Sequence, residues 1–187
     1  MTSCSVIMSK VYGVNNIKAF SQEDYDQSIA QMDSAMFPFK DIVANQQQYE
    51  LSRHLGIDSS WVKDFSQPVQ ILYFLKGELV SFHANCYAPG GASQLNWNYE
   101  KRFETEMPIS AKSLDGIHLS LVQYSKIYSD IEDGELVVLV FWTRMFEKIA
   151  FDAIEVAQNH LKQFHSVDNC RLYLINSDHF FASLSAD

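Results

Sequence analysis

The clearest hydrophobic pattern lies in the last third of the chain. Residues 136–142 are apolar at every position, which is typical of a strand covered on both faces. Apolar residues then recur at helical spacing from Phe146 to Phe164, and residues 172–175 form a second short apolar run. A strand, a long helix and a strand predict a βαβ unit with parallel strands and a right-handed crossover.

A β-hairpin is predicted upstream of this unit. The apolar runs 69–75 and 79–87 flank a short turn that contains glycine. Alternation in the second run places Cys86 on the packed face, where we expect an inert thiol. It places His83 on the polar face, where we expect a half-exposed side chain. Helical spacing then predicts a helix over residues 114–128.

The first third of the chain has a helical pattern. Ser21 precedes an acidic first turn and an apolar stripe, which predicts a capped helix. Asn45 followed by Gln48 predicts a capping box for a second helix. We therefore expect a helical N-terminal region over residues 1–66 and an α/β domain over residues 67–187, packed as one compact unit.

Charge and cysteine content exclude several classes of function. The 187 residues include 14 basic and 23 acidic side chains, for a net charge of −9, which argues against a nucleic-acid partner. No apolar run approaches the roughly 20 residues of a membrane helix, so we expect no transmembrane segment. The three cysteines form no CxxC or metal-ligand spacing. We therefore predict no metal, no redox dithiol and no cofactor.

The first four residues, Met1-Thr2-Ser3-Cys4, resemble the end of a bacterial lipobox. If Cys4 is lipidated, it is a lipid anchor and the protein lies at the bacterial cell envelope. The alternative is an ordinary cysteine in a frayed terminus of a cytoplasmic protein. Mass spectrometry of the native protein distinguishes the two.

The residues Val140-Phe141-Trp142-Thr143, followed by an amphipathic helix, resemble the first βα unit of thioredoxin-like proteins of the TlpA type. Aligned on that motif, Phe146 and Ile149 stand where the family has its two redox cysteines. The elements read ββα and then βαβ, which is the thioredoxin order rotated. The resemblance thus implies a permuted, thioredoxin-like mixed sheet with helices on its faces; the alternative is an ordinary α+β domain.

The carboxyl ends of parallel strands, with the helix N-termini beside them, are where such sheets bind ligands. The residues expected at this edge are Trp142, Thr143, Arg144, Asn176, Ser177, Asp178 and His179. Free N–H groups at the start of the helix, with the charge of Arg144, would bind a carboxylate or phosphate. In the alternative interpretation Thr143 is only a cap, Arg144 is solvated and residues 176–178 form a turn.

A non-catalytic, thioredoxin-like binding or interaction protein is the function we favour from the sequence. Its partner is an unknown protein or a small anionic ligand, held by the edge residues. The long aperiodic segment 88–113, which contains Trp97, is either a binding loop or a packed structural loop. We include Trp97 among the candidate binding residues.

An enzyme is the alternative function. It would depend on cysteine or histidine, use the edge around Thr143 and His179, and be gated by residues 88–113. A nucleophile system of Cys86, His179 and Asp178 is disfavoured. In a permuted sheet Cys86 and His179 end the two outermost strands, about three spacings of ~4.8 Å apart.

Overall fold

The structure is a computed structural model that describes residues 14–32, 36–55, 59–91 and 94–184. The strands are β1 (Lys40–Val43), β2 (Gln70–Leu75), β3 (Glu78–Ala84), β4 (Gly90–Gly91), β5 (Gln94–Leu95), β6 (Leu136–Trp142) and β7 (Cys170–Asn176). The helices are α1 (Gln22–Gln31), α2 (Gln46–Ser52), α3 (Ser59–Val62), α4 (Leu121–Ser125), α5 (Glu147–Phe164) and α6 (Asp178–Leu184), with 3₁₀ turns at Tyr99–Lys101 and Arg144–Phe146. Cys4 lies outside the described residues, so its lipidation stays a prediction.

Strand β6 is the centre of a mixed α/β fold. The five-stranded sheet has the order β1-β7-β6-β2-β3, in which β6 is parallel to β7 and antiparallel to β2. Strand β1 is parallel to β7 and forms one border of the sheet. All seven residues of β6 are buried. The central position and the parallel pairing confirm the predictions made from its apolar sequence.

Alternate residues of β6 enter two separate core layers. Val138, Val140 and Trp142 pack with residues of α1 and α5. Val137, Leu139 and Phe141 pack with residues of α2, α4 and α6 on the opposite face. Because side chains of a strand alternate between faces, a strand between two layers must be apolar throughout.

Local signals determine the hairpin and the helix starts as predicted. Strands β2 and β3 pair antiparallel around Lys76 and Gly77, whose φ angles are 49° and 84°. Two residues with positive φ form the tight turn that matches strand twist. The Ser21 side chain accepts a hydrogen bond from the Asp24 N–H at 3.3 Å, and Asn45 and Gln48 form the expected capping box. No helix within the described ranges is long and apolar enough to cross a membrane.

Two elements differ from the sequence predictions. Strand β1 interrupts the region expected to be helical, and it places a further strand outside β7, which is therefore not an outermost strand. The helix expected over residues 114–128 is reduced to α4. Gly116, at a φ of 79°, lies in the turns that replace its first part.

The positions predicted for two side chains of the second hairpin strand are wrong. His83 is 2% exposed, because the segment after β5 packs Phe103 against its ring, with the ring centroids 4.4 Å apart. Strand β3 ends at Ala84, so the alternation does not extend to Cys86, and that thiol is exposed. Strand alternation predicts a face only while the strand continues.

Candidate functional site

The carboxyl ends of β6 and β7 bring three of the predicted residues into direct contact. Trp142 and Asn176 are paired in register, and the chain continues from them into Thr143 and Asp178. The Thr143 hydroxyl donates to Asp178 Oδ1 at 2.7 Å, and the Arg144 N–H donates to the same oxygen at 2.8 Å. Arg144 Nε donates to Asp178 Oδ2 at 2.5 Å. The cluster Thr143–Arg144–Asp178 is thus a charge-assisted network with each residue less than 9% exposed.

Arg144 is buried between two carboxylates. Its Nη1 lies 2.9 Å from Asp24 Oδ2 on α1, and its Nε contacts Asp178. Burial lowers the pKa of Arg144, but the hydrogen bonds and charges of Asp178 and Asp24 outweigh that effect and raise it. The guanidinium is therefore charged and balanced by the protein itself, and it is not the solvated side chain of the alternative interpretation.

The N–H groups at the start of the turn before α5 also donate hydrogen bonds to acceptors of the protein itself. The N–H of Arg144 donates to Asp178, that of Met145 to Thr143 Oγ1 at 3.2 Å, and that of Phe146 to the Thr143 carbonyl at 3.1 Å. Thr143 caps the turn as expected. The Asp178 carboxylate thus lies where the sequence predicts a bound external anion.

Residues 176–178 join the strand ends rather than forming an exposed turn. The Ser177 N–H and hydroxyl both donate to the Trp142 carbonyl, at 2.9 and 3.0 Å. The Asp178 N–H donates to Asn176 Oδ1 at 3.0 Å. These bonds fix Asp178 on β6 as well as on β7. Trp142 Nε1 and Asn176 Nδ2 are buried without a hydrogen-bond partner among the described residues.

His179 and Trp97 lie outside this network. The His179 ring stacks on Phe20, with centroids 4.3 Å apart and planes 20° apart. Trp97 is buried in the core layer beneath α5. In the described part of the chain, no hydrogen bond or ring contact joins Trp97 to Thr143, Arg144 or Asp178. The structure thus assembles Trp142, Thr143, Arg144 and Asp178, and it places Trp97 elsewhere.

A polar cleft of about 510 Å³ adjoins Arg144. We call it the amide cleft, because four carboxamide side chains line it: Asn15, Asn16, Gln27 and Gln31. Asn15 fixes one wall, since its side chain donates to the Arg144 carbonyl and its N–H donates to the Met145 carbonyl, both at 2.8 Å. Glu147 fixes another by accepting from the Ser28 hydroxyl at 2.6 Å. No pattern in the sequence predicts this cleft.

Cys86, the thiol of the enzyme hypothesis, lies near a buried acidic group. Asp64 accepts hydrogen bonds from Tyr87 Oη and Lys112 Nζ, both at 2.6 Å. Lys112 Nζ also lies 3.8 Å from the centre of the Trp61 ring. Burial and the charge of Asp64 raise the pKa of the Cys86 thiol. Its surroundings therefore disfavour the thiolate, which is the reactive form.

We expect Cys86 to be alkylated by iodoacetamide more slowly in the native protein than in urea at the same pH. The raised pKa lowers its thiolate fraction in the folded state only. Mass spectrometry of proteolytic peptides after timed quenching measures the rate at this cysteine alone. Faster alkylation in the native protein would contradict the expectation and favour the enzyme hypothesis.

The chain has no match among protein-family models, curated proteins or solved structures. Over the described residues, no group of three or more His, Cys, Asp or Glu side chains is arranged to hold a metal ion.

Proposed function

We propose that this chain is a non-catalytic binding protein with a permuted thioredoxin-like sheet, and that the amide cleft holds its partner. The order β7-β6-β2-β3, with β6 parallel to β7 and antiparallel to β2, is the one expected for the rotated element order. Phe146 and Ile149, at the redox positions of the resemblance, carry no thiol. The strand order supports the permuted sheet, and the lack of thiols at these two positions supports binding in place of redox chemistry.

The partner is a neutral, extended segment of another protein. The amide cleft carries two basic side chains, Lys18 and Arg144, and two acidic ones, Asp24 and Glu147, so their formal charges cancel. Carboxamides both donate and accept, which matches the N–H and C=O groups of a peptide backbone. This combination of balanced charge and carboxamides is the observation on which the proposal depends.

A free anion is disfavoured as the ligand of this edge. The Arg144 N–H and guanidinium that would bind it already bind Asp178, and the N–H groups of Met145 and Phe146 donate to Thr143. A second anion would have to displace a fully buried carboxylate from a network of charge-assisted bonds. We therefore prefer the protein partner to the small anionic ligand of the sequence analysis.

The test is a titration of ¹⁵N-labelled protein with a pool of blocked, uncharged hexapeptides and, separately, with inorganic phosphate. Side-chain amide signals of the four cleft carboxamides report binding directly. We expect the peptides to shift these signals with dissociation constants of roughly millimolar size, and phosphate to leave them unchanged. Peptides that shift none of the four signals, or phosphate that shifts the Arg144 amide, would contradict the proposal.

Gln27→Trp and Gln22→Trp form a matched pair for this titration. Both glutamines are exposed on α1, but only Gln27 lines the amide cleft. We expect Gln27→Trp to abolish the peptide-induced shifts by filling the cleft, and Gln22→Trp to retain them. Equal losses in both variants would show that the peptides bind elsewhere.

A further inference from the structure

A second pocket, of about 580 Å³, lies at the opposite end of the sheet from the candidate site. It forms where β6 and β7 begin, at Leu136 and Cys170, and where β2 ends, at Leu75. Met107 and Phe164 complete an apolar floor. Leu75 is 37% exposed, although large apolar side chains of a central strand are normally covered. The pocket has the size of a small-molecule site, and its lining combines apolar and polar side chains.

The mouth of this pocket is acidic. Glu106 and Glu135 line it and are exposed, and no lysine or arginine is among its described lining residues. Burial, and next to it the charge of Glu135, raise the pKa of the Cys170 thiol to about 11, against the smaller opposing effect of Arg171. An apolar floor below two carboxylates is complementary to a cation with an apolar body.

Backbone hydrogen bonds hold both glutamates in place. The Glu135 carbonyl accepts from the Lys76 N–H at 2.8 Å, across the end of the hairpin. The Glu106 carbonyl accepts from His165 Nε2 at 2.8 Å, which ties the segment after β5 to the end of α5. These contacts fix the backbone of both glutamates without using their carboxylates.

We propose that this pocket binds a small organic cation, an amine with an aromatic or branched aliphatic body. The body would cover the exposed part of Leu75 and the half-buried Met107 and Phe164, which gains the free energy of removing apolar surface from water. The ammonium group would lie between Glu106 and Glu135 at the mouth, where its attraction to two carboxylates orients the ligand. This site is independent of the amide cleft, which lies at the other ends of β6 and β7.

Phenethylammonium and 3-phenylpropionate are matched probes, because they share a body and differ in the sign of their charge. Calorimetric and ¹⁵N NMR titrations near neutral pH should show binding of phenethylammonium, with shifts at the amides of Leu136, His165 and Asn169. Phenylpropionate should not bind. Equal binding of the two, no binding of phenethylammonium, or shifts confined to Asn15 and Gln27 would each overturn the proposal.

Variants of exposed residues separate the pocket from general charge effects. Glu135→Gln should weaken phenethylammonium binding about threefold to fivefold, the effect of one exposed charge pair. Glu132→Gln is the control, because Glu132 is exposed, lies outside the pocket lining and faces Lys40 at 3.8 Å. Ser166→Trp, at the exposed mouth, should abolish binding. Equal effects of Glu135→Gln and Glu132→Gln, or full binding by Ser166→Trp, would overturn the assignment.

Discussion

Asp178→Asn is expected to lower the free energy of unfolding by about 3–5 kcal/mol, the cost of removing one partner from a buried ion pair. Asp178 is 0% exposed and accepts from the Thr143 hydroxyl and from two N–H groups of Arg144. Asparagine still offers one acceptor oxygen, but its NH₂ group faces Arg144 Nε, donor against donor. The loss is a large share of the 5–15 kcal/mol that stabilises a typical domain, and urea unfolding measures it.

The matched control is Asp24→Asn, which removes the other carboxylate bound to Arg144. The Asp24 side chain is 62% exposed, so water replaces it, and we expect a loss below about 1 kcal/mol. The double variant Arg144→Met/Asp178→Asn should regain stability relative to Asp178→Asn, because no unpaired guanidinium stays buried. Similar losses for Asp24→Asn and Asp178→Asn would refute the buried network as the main contribution.

The parts of the fold that the sequence predicts are those with a local or compositional cause. Strand β6 is apolar on both faces because it lies between two core layers, and α5 carries the stripe that covers one of them. Strand β1 has no such signal: Lys40 and Asp41 are exposed, and only Ile42 is buried. It is a strand because it pairs with β7, a contact more than 100 residues away in sequence. Local patterns cannot report that contact.

The candidate site also has a part that the sequence predicts and a part that it does not. Thr143, Arg144 and Asp178 come together because parallel strands end at the same edge of a sheet, so a βαβ prediction places them correctly. Their chemistry is decided by contacts that no pattern encodes. Asp24 approaches Arg144 only because α1 packs beside α5, and the amide cleft is formed by that same packing. The sequence therefore predicts this edge of the sheet but not the cleft beside it.

His83 and His160 are a second case in which tertiary contacts override the pattern. Phe103 packs between their rings, 4.4 and 6.0 Å from them by ring centroids. His160 Nε2 faces the Thr105 carbonyl at 3.0 Å, so that nitrogen carries the proton, and Nδ1 accepts from Tyr73 Oη at 3.2 Å. Both histidines are 2% exposed. Protonation would therefore place a charge in an apolar layer.

Both pKa values lie far below the ordinary value of histidine. Burial, with the positive charges of Arg102 and His160, lowers the pKa of His83 to about 3. Burial lowers the pKa of His160 to about 4, against the opposing effect of its hydrogen bond to Thr105. In the unfolded chain both titrate near about 6.5. Between about pH 6.5 and pH 4 the unfolded state thus binds more protons, and the folded state loses stability as the pH falls.

We expect the free energy of unfolding to fall by about 4 kcal/mol between about pH 7 and pH 5 because of these two histidines. His160→Gln can still donate to Thr105 and accept from Tyr73, and it should remove about half of this pH dependence, as should His83→Gln. Urea unfolding at each pH measures the free energy of unfolding of the wild-type protein and of both variants. Ile175→Val is the control for a destabilised core without a titrating group, because Ile175 lies in the opposite core layer. It should lower the free energy of unfolding by about 1 kcal/mol at every pH. A pH dependence unchanged in both histidine variants would show that neither side chain is held neutral by burial.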